Sequence, residues 1–80
     1  MRINCKFYGR IAELNGADEQ HYKLDTTEIS VAGLKAHLVN QIPGLHHIPL
    51  NIAIDNVLVD EGYIISSDCN VDVMPPFAGG

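Results

Sequence analysis

Val71-Asp72-Val73-Met74-Pro75-Pro76-Phe77-Ala78-Gly79-Gly80 closes the 80-residue sequence and decides how the rest is read. Val71 and Val73 recur with a period of two, the signature of a strand with one buried face. Pro75-Pro76 follows at once. Proline has no backbone N–H and fixes φ, so the pair ends a sheet ladder and keeps the chain extended. After Phe77 and Ala78 come two glycines, with no charge cluster or capping residue beyond them. Gly79 and Gly80 carry no side chains, so this end can enter a channel too narrow for any other residue. Residues 75–80 can reach roughly 20 Å from a folded body at ~3.3 Å per residue. That distance would carry the carboxylate of Gly80 into the active site of another protein. The expected organisation is a folded domain over residues 1–74 and a flexible extended tail over 75–80.

Composition narrows the classes. Eighty residues make one domain that buries about 60–65% of its unfolded surface, so the core is modest. A hydrophobic content of 46% with 19% charged residues is that of a folded globular chain. The net charge of −5 argues against nucleic acid, which needs a basic face, and suits a basic protein partner. No apolar run is long enough for a signal peptide or a membrane span, so the expected location is the cytoplasm, with no membrane partner. Cys5 and Cys69 form no C-x-x-C pattern, and Cys5 has the parity of a core residue, so neither is assigned a redox or metal role.

Working back from the tail, Arg2 to Tyr8 alternates, with Ile3, Cys5 and Phe7 on one face and Tyr8 on the other. Gly9 ends this strand. Arg10 to Leu14 reads as a short helix stopped by Asn15-Gly16, and Gln20 to Leu24 as a second strand. Ser30 is the expected N-cap of the main helix, in which Val31, Leu34, Leu38 and Ile42 form one apolar stripe. Gly33 inside it costs about 1 kcal/mol relative to alanine. Pro43-Gly44 stops it. His46 and His47 lie in an expected loop, pointing to opposite sides and lacking a neighbouring acid or cysteine, so no metal site is expected. Leu50 to Asp55 forms a third strand with Leu50, Ile52 and Ile54 inward. Asp55-Asn56 turns the chain into Val57-Leu58-Val59, where Val57 and Val59 face the core and Leu58 faces out. Tyr63 to Ile65 continues to a turn at Ser66-Ser67-Asp68, where Asp68 would adopt the left-handed conformation. In the final strand Val71 and Val73 face in and Met74 faces out. One amphipathic helix against one face of a sheet makes a two-layer α+β domain.

The tail, Val73-Met74-Pro75-Pro76-Phe77-Ala78-Gly79-Gly80, resembles that of ubiquitin-like sulfur carriers, in particular the small subunits of molybdopterin synthase, which end in Phe-x-Pro-Pro-x-x-Gly-Gly or a near variant. Valine replaces the first aromatic. Phe7-Tyr8-Gly9 and Glu13-Leu14 resemble the opening of that family, with Ala12 where an arginine is usual, and Asp68 stands where glycine is common. The resemblance implies a β-grasp (ubiquitin-like) fold: a mixed sheet of four to five strands on one main helix, with the first and last strands adjacent and parallel. It also implies that Tyr8, Leu58 and Met74, with Pro75, Pro76 and Phe77, dock on partner proteins.

The chain shows no phosphate-binding glycine loop, no paired acid site and no nucleophile with an evident base, so an independent enzyme is not expected. What remains is the carboxylate of Gly80, an anion at neutral pH and a poor electrophile. The resemblance implies that an ATP-dependent activating enzyme adenylates Gly80, with Gly79 giving clearance beside it. A sulfur donor protein then supplies sulfur to form a thiocarboxylate, used by the large synthase subunit to build a dithiolene on a pterin precursor. No cofactor is expected on the chain itself, and ATP is consumed by the partner. The alternatives are a carrier for thiamine or cysteine synthesis, a ubiquitin-like modifier conjugated to lysines, and a binding domain whose Gly-Gly is incidental. Pro75-Pro76 disfavours the thiamine branch, whose carriers usually lack the proline pair.

Overall fold

Ile3, Cys5 and Phe7 are all at most 2% exposed, and they define the inner face of strand β1, Arg2–Phe7. The computed structural model describes residues 1–76. Past β1, Gly9 takes φ 58°, a conformation that strains any L side chain, and delivers the chain into helix α1, Arg10–Asn15, which ends at Gly16. Strand β2, Glu19–Lys23, returns antiparallel to β1 and sets Tyr22 opposite Ile3. The two-residue strand β3, Ile29–Ser30, then leads straight into helix α2, Val31–Gln41.

Helix α2 is fixed at its start. The first N–H groups of a helix have no intrahelical acceptor and must be satisfied elsewhere. Gly33 donates to Ser30 Oγ at 3.0 Å, Val31 to the Tyr63 carbonyl at 2.9 Å and Ala32 to the Glu61 carbonyl at 3.0 Å. Val31, Leu34, Leu38 and Ile42 are all but removed from solvent, each contributing about 1.5–3 kcal/mol by burial. Glycine at position 33 has a packing reason. A Cβ there would lie 3.0 Å from Ile29 Cγ1 and 3.3 Å from Ser30 Oγ, so the helix sits closer to β3 than alanine would permit without movement.

Strands β4, Asn51–Ile54, and β5, Val57–Val59, form a hairpin closed by Asp55-Asn56. Both turn residues have positive φ, 46° and 72°, the geometry that matches the twist of a two-residue hairpin. Strand β6, Ile64–Ile65, pairs with β3 in a small separate ribbon. Strand β7, Cys69–Met74, runs through the middle of the main sheet, whose order is β2-β1-β7-β4-β5. It is parallel to β1 and antiparallel to β4. Val71 and Val73 join the β1 residues, Ile52, Ile54 and the α2 stripe in one core. This is the expected α+β arrangement, a mixed five-stranded sheet with one main helix across one face.

Four local readings are corrected. Val57 has core parity, opposite Ile54, yet is 63% exposed, because β5 is the sheet edge and no helix covers it. Strand β4 begins only after Leu50, which packs against the core as read while staying half-buried. Asp68 does not adopt positive φ; its Oδ1 instead accepts the N–H of Arg2 at 2.7 Å, tying the start of β1 to the chain entering β7. The histidine loop is a single 3₁₀ turn, Leu45–His47, anchored by buried Leu45, and it holds the His46 and His47 rings 3.8 Å apart instead of on opposite sides.

The cap predicts a stability effect. Ser30→Ala should lower stability by about 1 kcal/mol by leaving the Gly33 N–H without its acceptor, whereas Ser30→Asp should keep it. Urea denaturation of the three proteins measures this, and equal midpoints for Ser30→Ala and the parent would show that the cap contributes nothing.

Candidate functional site

The parallel register of β1 and β7 carries both strands to the same end of the sheet, where Phe7 lies opposite Val73. The last bond between them is the N–H of Tyr8 donating to the Val73 carbonyl at 3.2 Å. On the other side Met74 lies opposite Asn51. Pro75 follows with no N–H to offer, so the ladder stops there. Gly9 meets the tail at this root: a Cβ on it would stand 3.8 Å from Pro75 Cγ. Pro75 is half-buried and Pro76 exposed. Phe77, Gly79 and Gly80 lie outside the described residues.

Strand register also fixes what shares the open face of the sheet, opposite α2. One row runs Lys6, Asp72, Ala53, Leu58 across β1, β7, β4 and β5. The next row toward the tail holds Met74 and Asn51, with Tyr8 beside them where β1 has ended. Tyr8 is 43% and Leu58 63% exposed, and Met74 is half-buried. Tyr8, Leu58 and Met74 therefore do share one face, but they do not form one continuous apolar contact. Tyr8 and Leu58 are separated by three strand spacings of about 4.8 Å and by one row of about 7 Å along the strands, about 16 Å in all. Ala53 and Asp72 fill the gap between them.

Asp72 is the residue that the sequence reading missed. The Tyr8 hydroxyl donates to its Oδ1 at 3.0 Å, across 64 positions of sequence. That bond is the main cause of the upward displacement of the Tyr8 phenol pKa, since ionisation would break it and set two anions together. Parity places Asp72 on the outward face of β7, where a lone carboxylate gives no signal of its own. The signal lay in Tyr8 and Asp72 both facing out from strands that only the fold reveals as neighbours.

Two grooves line this sheet. One of about 400 Å³ lies beside the tail root, bordered by Lys6, Phe7, Tyr8, Asp18 and Glu19. The other, about 620 Å³, lies at the far end of the sheet among Arg2, His21, Lys23, Asp55, Asp68 and Asn70, about 17 Å or more from the root along β7. Among the described residues no three His, Cys, Asp or Glu side chains are gathered to hold a metal ion, and no helix is long and apolar enough to cross a membrane.

Cys5 and Cys69 are both free thiols, on neighbouring strands with Cys69 opposite Ile3. Burial pushes the Cys5 thiol up to about 12, with a smaller push from Cys69. The Cys69 thiol is also raised, first by burial and then by the charges of Asp55 and Asp68. Neither environment favours the thiolate needed for nucleophilic sulfur chemistry.

Comparison with known proteins places this geometry. A model of the ThiS family matches residues 5–80. No curated protein matches the sequence significantly. Among solved structures, the chain is similar to a putative molybdopterin converting factor, subunit 1, from Pyrococcus furiosus, with a TM-score of 0.85 at 20% identity over 96% of this chain and 99% of that one. It is similar to small archaeal modifier protein 1 of H. volcanii, with a TM-score of 0.81 at 16% identity over 95% and 98% of the two chains. A complex of subunits 1 and 2 of the molybdopterin-converting factor from Helicobacter pylori 26695 gives a TM-score of 0.66 at 20% identity, with full coverage of both chains. At these identities the structural likeness establishes the β-grasp, ubiquitin-like fold.

The thiol environment yields an alkaline prediction. A thiol raised in the folded state stays neutral there after the unfolded chain has begun to ionise, so stability from this source is full below the ordinary value of 9.0 and falls as pH rises toward about 12. Denaturation midpoints measured from pH 8 to about pH 11 should fall less steeply in Cys5→Ala than in the parent, although the variant starts lower. Parallel declines would show that Cys5 is not the group responsible.

Proposed function

Because the chain belongs to the ThiS family, whose match runs from Cys5 through Gly80, we propose that it is a sulfur carrier acting through the carboxylate of Gly80. That match is the observation that carries the reading, since it takes in Gly79-Gly80 together with the domain. The rigid root supports it. Strand β7 is held on both sides as far as Met74, and Pro75 stands against Gly9, so the chain leaves the sheet at Pro75 from a fixed point.

The chemistry follows from what a carboxylate lacks. Its negative charge repels nucleophiles, and oxide is a poor leaving group. In the proposed first step an oxygen of the Gly80 carboxylate attacks the α-phosphorus of ATP on a partner activating enzyme, and pyrophosphate leaves. The carbonyl carbon then carries AMP as leaving group. Hydrosulfide, or its equivalent from a sulfur donor protein, adds to that carbon and expels AMP, leaving a terminal thiocarboxylate. Gly79 provides the bare backbone on which the reacting carbonyl enters a narrow site. The chain itself holds and presents the reacting group, and the partner supplies the catalysis.

We further propose that the pathway is molybdopterin synthesis, with the chain as the small subunit of the synthase and the sulfur delivered to a pterin precursor on the large subunit. The Pro75-Pro76 spacer and the likeness to a subunit 1 from P. furiosus favour it. In this reading the open face bearing Tyr8, Leu58 and Met74, with Pro75, Pro76 and Phe77, docks on the large subunit and on the activating enzyme. The likeness to an archaeal modifier protein favours a second reading, conjugation to lysines, which shares the same adenylate and differs in the nucleophile that follows. Thiamine or cysteine synthesis would use the same thiocarboxylate.

Three measurements test this. Incubation with the activating enzyme of the same organism, ATP and sulfide should replace one terminal oxygen by sulfur in the intact mass, and deletion of Gly80 should abolish the change without unfolding the domain. Transfer at the parental rate to a chain lacking Gly80 would refute the carrier reading. Cys5→Ser and Cys69→Ser should keep the transfer; its loss in either variant at full stability would place the sulfur on a thiol. Leu58→Asp or Met74→Asp should weaken binding to the large synthase subunit by ~2 kcal/mol or more with little change in Tm, as measured by calorimetry.

A further inference from the structure

The open face of the sheet combines apolar groups with one carboxylate placed among them. Asp72 sits between Lys6 and Ala53 in register, two positions before Met74, and holds the Tyr8 hydroxyl on Oδ1. It is half-buried. Among the described residues the one ion pair is Lys35 with Glu61, so Lys6, although directly opposite, does not bring its ammonium within 4.0 Å of Asp72. The groove next to Tyr8 adds Asp18 and Glu19 to the same neighbourhood, with Lys6 the one cation on its lining. Glu19 is engaged at Oε2 by the Asn4 amide at 3.0 Å. Among the described residues Asp72 thus keeps its second oxygen uncommitted, in the gap between Tyr8 and Leu58.

Such a carboxylate makes burial of this face selective. An ionised carboxylate accepts about four hydrogen bonds, and the Tyr8 hydroxyl supplies one. If a purely apolar partner covered it, the remaining oxygen would lose its water with nothing in exchange. A partner that brings a cation offsets that loss through charge-assisted hydrogen bonds. The tyrosine ring pinned to Asp72 favours a planar guanidinium over an ammonium, because one such group can meet the free oxygen and also lie against the ring.

We infer that Asp72 is the charged anchor of this docking face, and that the partner fitted to it is a protein surface that is apolar opposite Leu58 and Met74 and presents an arginine to Asp72 and Tyr8. The inference rests on the docking reading of the preceding section and adds to it the chemistry of the partner. The acidic neighbours Asp18 and Glu19 extend the demand for positive charge around that arginine, and the net charge of −5 is of the same sign.

The test uses the large synthase subunit from the same organism as probe. Asp72→Asn keeps an acceptor for the Tyr8 hydroxyl and nearly the same shape, and removes only the charge. Its affinity should fall roughly tenfold or more, and the loss of affinity between low and high salt should be smaller than for the parent. Leu58→Asp is the companion variant, because it blocks the face without touching Asp72. If Leu58→Asp prevents binding while Asp72→Asn binds with parental affinity and salt dependence, the anchor is overturned and the docking face stands. If neither variant alters binding, both the face and the anchor are overturned. A Tm of Asp72→Asn equal to that of the parent shows that the loss of affinity comes from the charge and not from the fold.

Discussion

The parallel pairing of β1 with β7 is the constraint on which the rest depends. It joins the first strand of the chain to the last in the middle of one sheet. Parallel neighbours cannot be linked by a tight turn, so the whole chain between them must act as a crossover. Helix α2 supplies the cover for one face, and β2 and the β4–β5 hairpin flank the pair on either side. The pairing has a second consequence. Because both strands run the same way, the end of β1 and the end of β7 arrive together, which is why Tyr8 and Gly9 stand beside Asp72 and Pro75.

That geometry separates two demands within a few residues. Val71 and Val73 are buried completely, so β7 is as firmly held as any part of the domain. One residue past Met74 the hydrogen-bonding pattern is cut by Pro75. Rigidity up to the root and the absence of side chains at positions 79 and 80 are written in the same ten-residue stretch. The start of α2 shows the same economy: Ser30 is at once the last residue of β3 and the cap of the helix, and the carbonyls of Glu61 and Tyr63 take two further N–H groups. The small β3–β6 ribbon fixes where the helix begins over the sheet.

Much of this was legible from residue order. The alternation in residues 2–8 and 71–74, the helical stripe 31, 34, 38, 42 and the Ser30 cap are local patterns, and local patterns survive without knowledge of the fold. The β3–β6 ribbon was not legible, because two-residue strands have no period to read. The exposure of Val57 was not legible either. Parity assigns a side chain to a face, whereas burial also needs a neighbour above that face. Five strands span about 19 Å, and one helix about 10–12 Å wide leaves an edge bare. The histidine pair misled through an assumed extended loop, which buried Leu45 tightens into a 3₁₀ turn. At the candidate site, the identities of Tyr8, Leu58 and Met74 as outward residues came from parity. The carboxylate between them depended on register, which lies in pairings across 64 positions.

The two cysteines show why proposed sulfur chemistry belongs on a carboxylate here. Burial pushes the Cys5 thiol up to about 12, so at neutral pH it stays in the protonated form, and the thiolate is the reactive form. Cys5 is also completely buried, so no donor can reach it. Cys69 is more open, but Asp55 and Asp68 oppose its ionisation and it lies at the opposite end of β7 from the tail. A carboxylate has the converse profile. It is inert until it is converted to an acyl adenylate, a mixed anhydride, so under the proposed mechanism sulfur would be loaded only where ATP and an activating enzyme are present. In the proposed mechanism, placing the reactive carbon beyond Pro75-Pro76 would let it enter partner sites while the body stays docked. Under the proposed division the domain would contribute recognition, through the face that Asp72 and Tyr8 share, and the tail would contribute reach.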